Sequence, residues 1–182
     1  MCDEIGLVSM NLIITCARHY EYDTELEITN ILDEIGDSNP QIATTEFSGI
    51  LYVNTSANPL EMINRIRQKI EDEPWSIRYT MRAIPVEALV ETQIRPIIEA
   101  ASSLAKKMSK DDSYRITIEK RNSGIASEEI ITQIANKIPN RVSLKNYDWV
   151  VLVEILGTET GISVLKDSNI LSIQREKRGS LE

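Results

Sequence analysis

Cysteine is nearly absent: Cys2 and Cys16 are the only two in 182 residues, so no disulfide framework holds this chain and a reducing compartment is expected. Histidine occurs once, at His19, and no Cys/His pair has metal-ligand spacing, so no metal site is expected. Glycine is sparse, with 7 residues, and forms neither a G-x-G-x-x-G turn nor a Walker lysine loop. Nucleotide hydrolysis and nicotinamide chemistry therefore lack their parts, and no cofactor is expected. Nowhere do eighteen apolar residues follow one another, and the acidic opening MCDEIGLVSM has no basic leader. A cytoplasmic protein is expected, and the closing GSLE is left out of the expected fold.

What is present is a folded composition with an uneven charge. Apolar residues make up 42% of the chain, enough for real cores in one large domain or two small ones. The formal charge is -8, and all of it lies in the first half: residues 1–85 hold 6 Lys and Arg against 14 Asp and Glu, residues 86–182 hold 14 against 14. A uniformly acidic surface repels a phosphate backbone, whereas this distribution leaves the second half free to meet one.

Periodicity orders the first half as strand, helix, two strands, helix, strand. Asn11 to His19 is a β-branched run, Thr24-Glu25-Leu26-Glu27 has capping-box spacing, and Ile28, Ile31, Leu32 and Ile35 follow at helical intervals before Gly36. Gln41 to Phe47 and Ile50 to Asn54 meet at Ser48-Gly49 as a hairpin. Asn58-Pro59 caps a second helix bearing Ile63, Ile66 and Ile70, and Trp75 to Met81 alternates as a strand. β-α-β-β-α-β over this length is the split arrangement of ferredoxin-like domains.

After a boundary near residues 82–88 the rhythm changes. Ile94, Ile97, Ile98, Ala101, Leu104, Ala105 and Met108 predict a long helix, with Pro96 tolerable only in its first turn. Tyr114, Ile116 and Ile118 alternate with Arg115, Thr117 and Glu119 as a strand with one wet face. Ile130, Ile131, Ile134 and Ile138 mark a helix capped near Ser127, Trp149 to Ile155 reads as a central strand, and Gly161 to Asp167 as its neighbour. The expected class is α+β in two domains, residues 1–83 and 84–182.

Candidate chemistry concentrates in cations at element ends. Lys120-Arg121-Asn122-Ser123-Gly124 joins a strand to a helix start, where free amides and the positive helix pole favour a phosphate. Read alone, the loop is first a solvated turn with two surface cations, and the motif by itself is weak. Lys106 and Lys107, with Lys110, close the long helix, where they also complement its dipole; Lys145 and Lys166 sit at further element ends. His19 has no serine, cysteine or carboxylate constellation, Cys16 reads as a small buried residue, and Glu128-Glu129 belongs to a helix first turn. A non-catalytic protein is expected.

From Arg82 onward the segments RAIPV at 82–86, IEKRNSG at 118–124, SEEIITQIA at 127–135, VVLVEI at 150–155 and GISVLKD at 161–167 occur in an order and spacing that resemble a THUMP domain. The resemblance is to the adapter proteins of tRNA cytidine acetylation, in which a ferredoxin-like domain precedes the THUMP domain. It implies that the two domains hold the acceptor stem and 3′ end of a tRNA by shape and phosphate contacts, while a separate RNA cytidine acetyltransferase forms N4-acetylcytidine. By matching position it implies contacts from Lys120, Arg121, Asn122, Ser123, Gly124 and Lys166, with Arg82 at the junction and Asp167 orienting a neighbour. Lys106, Lys107 and Lys145 complete the expected set. About fifteen residues follow VLKD, too few for a catalytic domain, so a stand-alone adapter is expected. The acidity of residues 1–85 leaves a second reading open: a protein-interaction or regulatory subunit of an RNA-modification complex.

Overall fold

A computed structural model of the chain describes residues 10–179; Cys2 and the tail residues 180–182 lie outside the described residues. The chain forms two units, one running to Pro85 and resumed from Ile170, the other spanning Val86–Asn169.

The first unit opens with β1 (Leu12–Cys16), α1 (Glu21–Glu34), β2 (Gln41–Thr44), β3 (Ile50–Asn54), α2 (Pro59–Asp72) and β4 (Thr80–Pro85). The strands pair antiparallel in the order β4-β1-β3-β2, with Ile13 opposite both Tyr52 and Ile84. This is the order and connectivity of a ferredoxin-like domain. Leu12 and Ile14 alternate with Ile13 along β1, so they fall on one face with Leu51 and Val53 and meet Ile28, Ile31 and Leu32 of α1 and Met62, Ile63, Ile66 and Ile70 of α2. Each such side chain taken fully out of water stabilises the unit by about 1.5–3 kcal/mol before entropy is counted.

Local signals act where expected at three places. Gly36 leaves α1 at φ +99°, the Asn58 side chain accepts from the Leu60 amide at 2.9 Å, and Pro59 opens α2. Gly49 turns the hairpin at φ +79°, and a Cβ there would lie 2.5 Å from the Cys16 carbonyl oxygen, so only glycine fits.

Three expectations are corrected. Thr24 does not cap α1: the helix begins at Glu21, and Thr24 is buried one turn in, its hydroxyl donating to the Tyr20 carbonyl at 2.6 Å. Its partner in the expected box, Glu27, instead accepts from the Arg78 and Thr80 amides at 2.7 and 2.8 Å and from the Thr80 hydroxyl. Those bonds hold residues 75–79 as a loop, so the last strand begins at Thr80 and not at Trp75. The first strand ends at Cys16, and His19 takes the left-handed conformation at φ 72° in the following turn.

The second unit contains β5 (Ala88–Glu91), α3 (Ile94–Leu104), β6 (Ser113–Arg121), α4 (Ser127–Lys137), β7 (Arg141–Val142), β8 (Trp149–Leu156) and β9 (Glu159–Leu165). Its sheet runs β5-β9-β8-β6-β7; β6 is parallel to both β7 and β8, and the β8–β9 and β9–β5 pairs are antiparallel. Val151, Val153 and Ile155 of β8, with Tyr114, Ile162 and Val164, face Ile97, Ile98 and Ala101 of α3 and Ile130 and Ile134 of α4. The central strand is β8, as its continuous apolar run demands.

After Asn169 the chain rejoins the first unit. β10 (Leu171–Ser172) adds to β4, with Leu171 opposite Ala83, and α5 (Ile173–Gly179) follows. Leu171 and Ile173 enter the first core, Arg67 pairs with Glu176 at 3.0 Å, and the Lys177 ammonium donates to the Ile77 carbonyl at 2.8 Å. Residues 170–179, assigned from sequence to the second domain, thus pack with the first. The two apolar side chains find a complementary sheet edge there, a long-range match that no local pattern encodes.

Candidate nucleic-acid interface

Parallel pairing decides where the cations of the second unit go. In a strand–helix–strand crossover the helix ends where the next parallel strand begins, so the C-terminal ends of α3 and α4 and the starts of β6, β7 and β8 share one end of the sheet. At that end Ser113, opening β6, donates its amide and hydroxyl to Asp148 at 2.8 and 3.0 Å, and the Asp148 amide returns a bond to the Ser113 carbonyl at 3.0 Å. The Ser113 amide, its hydroxyl and the nearby Lys166 and Arg141 charges hold the Asp148 carboxyl below the usual carboxylate range. Asp112 accepts from the Ser109 amide and the Trp149 indole, both at 2.8 Å, and Asn140 donates to the Ser109 and Asp112 carbonyls. Two of the local carboxylates are therefore turned onto neutral donors, and the loops that meet here are stapled together.

Onto this frame converge eight of the eleven Lys and Arg residues of positions 86–169: Lys106, Lys107, Lys110, Arg115, Lys137, Arg141, Lys145 and Lys166. Lys106, Lys110 and Lys137 line a cavity of about 400 Å³ together with Met108, Ile138 and Pro139. The Lys166 ammonium lies 4.0 Å from the centroid of the Trp149 ring, and the Arg115 guanidinium 5.8 Å from that of Tyr147. Lys107 is engaged within the unit, where its ammonium pairs with Glu87 and donates to the Val164 carbonyl at 3.0 Å, tying the turn after α3 to the sheet.

The loop singled out in the sequence lies at the opposite end of β6. The nine residues of β6, eight steps of roughly 3.3 Å, put it about 26 Å away. There the Lys120 ammonium donates to the Ile125 carbonyl at 2.9 Å, and the Ser123 hydroxyl oxygen accepts from the Ile125 amide at 3.3 Å. Asn122, at φ 51°, is the left-handed residue, while Gly124 sits in open space. Arg121, Asn122 and Gly124 are exposed. The α4 start carries Glu128 and Glu129 in its first turn, so its positive pole already faces two carboxylates and a phosphate arriving there meets like charge. Arg82 belongs to the first unit, half-buried in β4 between Thr15 and Ser172 of that unit's sheet.

Of the ten expected contact residues, the structure brings Lys106, Lys107, Lys145 and Lys166 together, keeps Lys120 to Gly124 at the far end, and leaves Arg82 in the other unit. It adds Lys110, Arg115, Lys137 and Arg141, with Tyr147 and Trp149. Their signal was present in the sequence as cations at the ends of helices and the starts of strands, but it acquires meaning only once β6, β7 and β8 are known to be parallel.

Residues 91–165 match the family model of the THUMP domain. The chain is 23% identical over 178 residues to an uncharacterized protein of Methanocaldococcus jannaschii, covering 95% of this chain and 46% of that protein. A crystal structure from Pyrococcus horikoshii is similar over 86% of this chain and 55% of its own, at 19% identity and a TM-score of 0.60. TrmN from Thermus thermophilus is similar over 86% and 45%, at 14% identity and a TM-score of 0.55. A 4-thiouridine synthetase in complex with RNA and ATP is similar over 87% and 42%, at 11% identity and 0.51. The chain spans about half the length of these relatives, and at such identities the structural likeness speaks for the fold. A THUMP domain is present at residues 91–165, within the second unit.

Proposed function

We propose that this chain binds tRNA through the basic end of its THUMP unit and presents it to a separate RNA cytidine acetyltransferase, taking no chemical step itself. The observation that carries the RNA reading is the convergence of eight cations with Trp149 and Tyr147 at one end of the sheet. Cations spaced along that surface match a phosphate backbone, and the Trp149 and Tyr147 rings hold Lys166 and Arg115 in place beside it. The THUMP domain and the likeness to a 4-thiouridine synthetase captured with RNA support a role in tRNA modification. The acceptor stem and 3′ end are the parts of the tRNA that the family resemblance favours.

A non-catalytic role is supported by the fate of the candidate chemical groups. Cys16 is buried, and burial pushes its thiol up from the ordinary value, away from a reactive thiolate. His19 is exposed in a turn, and Glu128 and Glu129 belong to a helix first turn. The adapter assignment itself rests on the family resemblance of the segments from Arg82 to Asp167.

The test is a tRNA-binding isotherm at several salt concentrations, followed by acetyl transfer with acetyl-CoA and ATP. Engagement of about five phosphates gives a slope of log K against log salt near -4 to -5. Affinity independent of salt would overturn the phosphate reading. Acetylation of tRNA by this chain alone would overturn the adapter reading; acetylation only when the acetyltransferase is added, and faster with this chain than without it, supports it.

A further inference from the structure

Helix α1 has two apolar faces. Ile28, Ile31 and Leu32 enter the core, while Tyr22 and Leu26, one turn apart, point the other way and are 70% and 48% exposed. Tyr22 and Leu26 thus form a small exposed apolar pair on the side of α1 away from the core. Beside its first turn Tyr20, 48% exposed, stacks on Tyr79 with ring centroids 5.5 Å apart. The loop carrying Tyr79 is fixed against α1 by Glu27, and Trp75 on that loop is 65% exposed.

The electrostatics of this face select its partner. α1 contains six carboxylates and no cation. Glu21 accepts from the Gly49 amide at 2.7 Å, Glu27 is spent on the loop amides, and Glu34 pairs with Arg65 and Lys69. Asp23, Glu25 and Asp33 are not engaged in this way, and Asp33, exposed and seven residues after Leu26, continues the Tyr22–Leu26 stripe. Phosphate-bearing partners, nucleic acid or anionic membrane alike, are repelled here. A Lys- or Arg-bearing amphipathic helix of a partner protein matches both features, its apolar residues meeting Tyr22 and Leu26 and its cations meeting the three carboxylates.

We propose that the outward face of α1, with the Tyr20–Tyr79 stack at its start, is a docking surface for a basic amphipathic helix of another protein. Large, rigid, exposed aromatic side chains are the usual anchors of such contacts. The surface is independent of the RNA reading, since it lies in the first unit and has the opposite charge.

The experiment is a titration of the isotope-labelled full chain with two synthetic helical peptides, one built of Leu and Lys, the other of Leu and Glu on the same pattern. The expected result is amide shift changes confined to residues 20–33 and 75–79 with the cationic peptide and none with the anionic one. Replacing Tyr22→Ser and Leu26→Ser together, which removes exposed side chains and leaves the charge intact, weakens binding about tenfold with an unchanged Tm. Asp23→Asn with Asp33→Asn weakens it further and reduces its salt dependence, Glu25 remaining. Shift changes spread over every acidic surface, or insensitivity to the Tyr22/Leu26 pair, would overturn the proposal. So would concentration-dependent self-association abolished by Leu26→Ser, which makes a second copy of this chain the occupant. Adding tRNA to the same sample moves second-unit resonances only, so loss of RNA binding and loss of peptide binding are read separately.

Discussion

In the first unit α1 carries six carboxylates, no cation and two exposed apolar side chains, whereas in the second unit α3 and α4 both run into lysines that gather where the parallel strands begin. The first unit pairs all its strands antiparallel, with one hairpin between β2 and β3 and helical crossovers elsewhere; in the second, β6 runs parallel to both β7 and β8, which brings the ends of α3 and α4 and the starts of those strands together. Cations distributed along some sixty residues of sequence thereby become one surface, while the first unit's net charge of four acids in excess across residues 10–85 and 170–179 stays spread over α1 and the ends of α2. Composition and topology act together: the second unit holds most of the cations, and its parallel pairing gathers them at one end, which is where the proposed RNA contact lies.

The largest effect that separates the units is structural. Gly49→Ala forces a Cβ to 2.5 Å from the Cys16 carbonyl oxygen at a positive φ, and destabilises the first unit by about 2–3 kcal/mol. Thermal unfolding followed at Trp75 and Trp149 distinguishes the units, and an earlier transition at Trp75 alone is expected. Next comes the basic end: Lys110→Gln, Lys137→Gln and Arg141→Gln together lower tRNA affinity more than about tenfold and flatten the salt slope by about 2–3, measured by titration at fixed and varied salt. The far end of β6 is expected to matter less. Lys120→Ala with Arg121→Ala costs about two- to threefold in affinity, because one cation is engaged in the loop and the helix start beside it is already neutralised. A larger loss from this pair than from the triple variant reverses the assignment of the two ends.

The smallest effect is a pH dependence. Asp148 has a lowered folded pKa, so it stabilises the second unit above its unfolded pKa of about 3.9, and that contribution disappears as pH falls through the folded value. Asp148→Asn is therefore expected to remove part of the stability loss below about pH 4, seen as a shallower acid limb in urea unfolding of the second unit.

Signals that act within a few residues were legible in the sequence. Asn58-Pro59, Gly36 and Gly49 determine local conformations by their own stereochemistry, and each does so here. The Thr24–Glu27 spacing misled because the same two side chains serve equally inside a helix and across to a neighbouring loop, and Glu27 satisfies three amides from residues 78–80. β5, β7 and β10 are two to four residues long and owe their existence to the partner strand, which no periodicity within them records. The same holds for the site. KRNSG stood out because its cations are adjacent in sequence, whereas Lys106, Lys110, Lys137 and Arg141 become neighbours only through pairing of Ser113 with Arg141 and the bonds of Asn140 to residues 109 and 112.

The return of Leu171 and Ile173 to the first core has a temporal side. A ribosome making this chain releases β1 through β4 early, yet the strand that borders β4 is synthesised only after the whole of Val86–Asn169 has been made. The sheet edge at Ala83 thus waits uncovered through roughly eighty-five codons, several seconds at ordinary elongation rates, during which the THUMP unit has everything it needs to fold. The unit begun before Val86–Asn169 is thus completed only after it.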